Sequence, residues 1–187
     1  MPHLNPHLPK RKEHIVAVYA LDDLVPQIHP DAYVHPDACV IGNVIIGAKS
    51  TIWPGAVLRG DYGQIVIGER TSIQDGTVIH ATVGKPTIIG SDCVIGHIAH
   101  LECCVVENGC LIGNGSIVLH DVIVRSGALV GSGAVVPNGM EVPARAMALG
   151  VPAKLRLDAV APGTFDAAVL GYAANGAHYK ATLRRLD

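Results

Sequence analysis

The sequence predicts an all-β solenoid of triangular section, finished by a C-terminal α-helix. Two spacings carry that prediction. Aliphatic residues recur at every sixth position, and a small residue follows most of them four places later. Composition agrees. Hydrophobic residues make up 49% of the 187 residues but aromatic ones only 4%, so the apolar content is Val, Ile, Leu and Ala. A period of six fits neither the 3.6-residue turn of a helix nor simple strand alternation. It fits a short flat strand plus a corner, with three such units to a coil. One unit cannot bury its apolar face alone, so coils must stack.

Residues 1–28 read as an N-terminal extension. The hexads occupy 29–156. The first run is Val34, Val40, Ile46, Ile52 and Leu58, followed by Ile67, Ile73 and Ile79. Ile89, Ile95 and Leu101 come next, and then Val106 through Val142 in steps of six. The companion positions are Ala38, Ala56, Thr71, Thr77, Cys93, Ala99 and their like, small enough for a narrow prism; Met140 alone is large. The spacing breaks in three places. Leu58 to Ile67 is long and contains Gly60-Asp61-Tyr62-Gly63. Ile79 to Ile89 is long and contains Thr82-Val83-Gly84-Lys85-Pro86. Leu101 to Val106 is one residue short. Inserted residues are expected to leave the solenoid as loops on one face, and both long ones flank His80. Residues 157–187 form the helical segment. Thr164 is the expected N-cap, Phe165 the first helical residue, and Gly171 and Gly176 invite a kink.

The same composition excludes several classes. A net charge of −2 gives no nucleic-acid footprint, and the one basic run, Lys10-Arg11-Lys12, reads as a solvated tail. No apolar run approaches the roughly 18 residues of a membrane span, and the N-terminus lacks a signal-peptide apolar core. The five cysteines follow no zinc or redox spacing and read as free thiols of a cytoplasmic protein. Cys103 and Cys104 read as small packing residues.

Stacking turns the sequence into a site. Equivalent residues in successive coils lie about 4.8 Å apart. Arg59, His80 and Glu102 each follow an inward residue on the same side, so they form one outward column. His100 shares that side, two residues before Glu102. His97 sits at a corner above Asp75, and a neighbouring subunit could bring it to the column. A histidine and a carboxylate this close can share a metal ion, with the third ligand from His97 or His100. Two histidines and a glutamate, with water in the fourth place, form a catalytic zinc set. Alternatively His100 ligates and Glu102 orients a histidine. Stacking favours Glu102, because His100 is offset by roughly 7 Å along the strand. His120 reads as a surface or interface residue, and His3, His7 and His14 carry no assigned chemistry.

The stretches STIWPGAVLRGD, IVIGERTSIQDGTVIH, GKPTIIG and VIGH resemble γ-class carbonic anhydrases, and LIGNGS, GALVGSGAVV and GVPAK extend the likeness to about Arg156. The hexads alone are shared with many acyltransferases, whereas the RGD…QDGTVIH…IGH series is far more specific. The resemblance implies a left-handed parallel β-helix, a homotrimer, and a divalent metal between subunits. Zinc is the first expectation, with iron or cobalt as substitutes. Its histidine ligands match His80 and, from the adjacent subunit, His97. The third ligand position falls on Glu102, where the family has histidine. Arg59 and Asp61 match an intersubunit ion pair, and Gln74 matches a residue that places the bound water. The family's acidic proton shuttle falls on Tyr62 and Val83, so it is missing here, and His100 is the preferred relay.

The leading expectation is therefore a carbonic anhydrase-type lyase. It would hydrate CO₂ reversibly to bicarbonate by a metal-bound hydroxide at a trimer interface. Three alternatives stand beside it: a metal-dependent hydrolase of another small substrate, a hexapeptide-repeat acyltransferase with a His base, and a non-catalytic trimeric scaffold.

Overall fold

Six-residue units put one residue per unit on the prism axis, and the observed core is built on that rule. In the computed structural model, which describes residues 16–186, the inward positions from Val40 to Val142 are at most 1% exposed. Residues 1–15, with His3, His7, His14 and the Lys10–Lys12 run, lie outside the described residues. The small companions Ala38, Ala56, Cys93, Ala99, Cys110, Ala128 and Ala134 are buried beside the aliphatic residues. At three polar companions the hydroxyl is satisfied by the next coil, whereas that of Ser116 donates within its own coil to the Gly113 carbonyl at 2.7 Å. Ser50 donates to the Gly68 carbonyl at 2.6 Å, Thr71 to that of Gly90 at 2.7 Å and Thr77 to that of Gly96 at 2.7 Å.

The chain winds as a left-handed parallel β-helix. Two faces are joined through the long strands Cys39–Ile46 and Val57–Ile67, and the third is a separate 8-stranded sheet. Strand pairing is parallel until Lys154–Arg156 turns back antiparallel on Met147–Leu149. The helix Asp166–Thr182 follows.

Four expectations need correction. The sheet begins inside the supposed N-terminal extension, because Ala17–Tyr19 and Gln27–Ile28 both pair with Cys39–Ile46. The Gly60–Gly63 insertion does not leave as a loop. It stays within the continuous strand Val57–Ile67 and rounds the prism corner, with the register shift taken up opposite Gly42–Val44. Thr164 does not cap the helix. Phe165 occupies the N-cap without a side-chain bond, while the Thr164 hydroxyl donates to the Ala161 carbonyl. Gly171 and Gly176 do not interrupt the helix. A Cβ on Gly176 would sit 2.4 Å from Thr51 Cγ2, so glycine there lets the helix approach the prism. Tyr172 and Tyr179 then pack edge-on against Trp53, and Val169 is buried.

Candidate functional site

Parallel register builds the site column. Val57–Ile67 pairs with Val78–His80 so that Arg59 stands beside His80, and Val78–His80 pairs with His100–Glu102 so that His80 stands beside Glu102. Each follows a residue buried on the axis (Leu58, Ile79 and Leu101), so alternation turns all three outward. Asp61 reaches the same place because its strand continues past Arg59.

The imidazole of His80 lies between two carboxylates. Nδ1 is 2.9 Å from Glu102 Oε1, and Nε2 is 2.9 Å from Asp61 Oδ1. Arg59 pairs with the other oxygen of Asp61. Both acids are held ionised. Burial raises the Asp61 pKa, but hydrogen bonds from His80 and Arg59 outweigh it and bring the carboxyl below its ordinary value. For Glu102 the hydrogen bond from His80 dominates, burial opposes it, and His120 adds to it, again leaving the pKa lowered. His100 Nε2 and His120 Nε2 stand 3.4 Å and 3.5 Å from the second oxygen, Glu102 Oε2.

The remaining expected site residues are elsewhere in the protomer. Gln74 is buried just after Ser72–Ile73, on the 8-stranded sheet. His97 is at the corner, 3.0 Å from Asp75 across the coils and 45% exposed. One protomer thus offers two groups: Arg59, Asp61, His80, His100 and Glu102 in one, and Gln74, Asp75 and His97 in the other. Tyr62 and Val83 are exposed.

His120 is the residue that sequence reasoning missed. Glu102 and His120 each precede a corner residue with left-handed backbone, Cys103 (φ 53°) and Asp121 (φ 61°). The Asp121 N–H donates to the Cys103 carbonyl at 2.8 Å, which stacks the two corners. The missing residue between Leu101 and Val106 was the available signal: it draws this corner in and sets His120 over Glu102. Imidazole and carboxylate side by side, at 13% and 22% exposure for His80 and Glu102, are the donor chemistry of a borderline divalent cation.

A model of the bacterial transferase hexapeptide, six repeats, matches residues 26–60. A hexapeptide transferase family protein from Anaplasma phagocytophilum superposes with a TM-score of 0.82 at 31% identity, over 88% of this chain and 98% of that one. The chain belongs to the hexapeptide-repeat transferase family. A Bacillus cereus protein proposed to be an acetyltransferase is similarly close in fold. Its TM-score is 0.86 at 30% identity, over 89% of this chain and 98% of that one. The carnitine operon protein CaiE of Escherichia coli O157:H7 is 41% identical over 91 residues, 49% of this chain and 46% of that protein. Those 91 residues are about half the length of the curated relatives this chain matches.

Proposed function

We propose that the protein is a γ-carbonic anhydrase-like metalloenzyme that works as a homotrimer, the assembly common among hexapeptide-repeat proteins. The reading is supported above all by the way three imidazoles, those of His80, His100 and His120, converge on the Glu102 carboxylate. His80 and Glu102 would hold the ion from one protomer and His97 would join from its neighbour. A zinc-class cation held there would acidify a bound water, which is the chemistry CO₂ hydration near neutral pH needs.

The chain's own residues have separable tasks. Glu102 Oε1, 2.9 Å from His80 Nδ1, would share the ion with that nitrogen. Arg59 holds Asp61 in place, and Asp61 keeps the His80 Nε2 side polar. Gln74, at the His97 corner, would orient the attacking oxygen across the interface. His100, 37% exposed, is suited to pass the released proton to buffer.

A second reading is acyl transfer. It is favoured by the transferase family and by the His80–Glu102 pair, which is how a carboxylate orients a histidine base. Nε2 would then have to exchange Asp61 for the acceptor's proton. Two measurements separate the readings. Stopped-flow CO₂ hydration should rise on zinc loading of stripped protein and fall at least tenfold in His80→Ala. A melting temperature raised by coenzyme A, with no hydration above buffer, would instead favour acyl transfer.

A further inference from the structure

The two oxygens of Glu102 face different partners. Oε1 is at hydrogen-bonding distance from His80, 2.9 Å. Beside His100 Nε2 at 3.4 Å, Oε2 is 3.5 Å from His120 Nε2, long for a hydrogen bond of this type. It is the right separation for two ligands of one ion: bonds of about 2.0–2.3 Å at tetrahedral angles put neighbouring donors roughly 3.3–3.7 Å apart. A third donor is close. Ligand atoms of Glu102, Cys103 and His120 all lie within 4.8 Å of one another. Cys103 holds its place by backbone geometry. Its left-handed φ of 53° is uncommon for a residue other than glycine, and its N–H is bound by Thr87 Oγ1 at 2.7 Å. Its thiol is 3.2 Å from Thr82 Oγ1.

We propose that Glu102 Oε2, His120 and the Cys103 thiolate form a second cation position, contained in one protomer and bridged through Glu102 to the His80 position. A thiolate, an imidazole and a carboxylate select a zinc-class ion over magnesium or calcium. Binding releases the Cys103 proton to solvent, and the ion displaces Thr82 from the sulfur. His120, at 36% exposure, is the side from which the ion enters. The inference rests on the metal reading given above, but its donors differ from His80 and His97, so the two can fail separately.

The test is zinc content of the full-length protein after chelator treatment, reloading and desalting, with cobalt(II) spectra in parallel. Wild type should hold about two ions per protomer. His120→Ala and Cys103→Ser should each hold about one, and Cys103→Ser should lose the sulfur-to-cobalt charge-transfer band. His80→Ala and His97→Ala should also hold about one but keep that band. Glu102→Ala should hold none. Circular dichroism and trimer size are recorded for each variant, and the conservative Cys103→Ser guards against misfolding. Wild type with about one ion, lost in His80→Ala and kept in His120→Ala and Cys103→Ser, overturns the second position and leaves the first. One ion lost only in His120→Ala and Cys103→Ser upholds the second position and overturns the His80–His97 set. No zinc in wild type overturns both.

Discussion

Tyr33 shows what a single buried polar atom costs. Its ring packs edge-on against Trp53 and Tyr179, and its hydroxyl is buried with no hydrogen-bond partner among the described residues. Burial, with Tyr179 and Asp37 nearby, pushes its pKa from 10.0 up to about 12. The folded state therefore holds its proton more tightly than the unfolded chain. The stability linked to that proton is fully present below about pH 10 and is lost as pH rises towards 12. Removing the oxygen relieves an unmade hydrogen bond at little cost in packing. Tyr33→Phe should be stabilised by about 1 kcal/mol near neutrality, and its stability should decline less steeply above pH 10. Urea unfolding at pH 7.5 and 10.5 measures both effects. Destabilisation of the variant at both pH values would show that the hydroxyl is satisfied after all.

At the scale of elements, tight stacking matters more than strand length. Many strands have only two residues, and the corners between them carry glycine where coils touch. A Cβ on Gly68 would lie 2.5 Å from the Gly90 carbonyl carbon and the Ser91 nitrogen, both backbone atoms that cannot rotate aside. Gly171 in the helix is the opposite case, because a Cβ there meets nothing within 4 Å. Gly68→Ala should therefore cost about 1–3 kcal/mol, whereas Gly171→Ala should gain about 0.5–1 kcal/mol from helix propensity. Denaturant midpoints at constant m-value test both signs. The hexad made the axis, the stacking and the Arg59–His80–Glu102 column legible, because a fixed period converts sequence position directly into height and direction. Three things escaped it. The first strand was hidden because Ala17–Tyr19 lies outside the period. The Val57–Ile67 bend was hidden because ten-odd residues can round a corner as strand or leave as loop with the same ends. His120 was hidden because one missing residue shifts every later position in that coil by a place.

For the molecule as a whole, the question is whether one protomer can complete the proposed His80 site. His97 pairs with Asp75 at an exposed corner, while His80 is enclosed by Asp61 and Glu102 on another part of the surface. Within one chain the two histidines belong to different groups, so a shared ion requires a second copy whose His97 corner meets the first copy's His80 column. In a cyclic trimer each interface then takes one histidine from each side. His80→Ala and His97→Ala trimers should each be inactive in CO₂ hydration. When the two variants are unfolded, mixed equally and refolded together, every mixed trimer regains one interface with both histidines intact. Random assortment places about three quarters of trimers in the mixed class, so about a quarter of wild-type activity should return. Mixing the folded trimers without refolding should restore nothing, which separates subunit exchange from simple addition. If co-refolding yields mixed trimers by mass spectrometry but no activity, His97 does not act across the interface, and the His80 column must work with donors from its own chain.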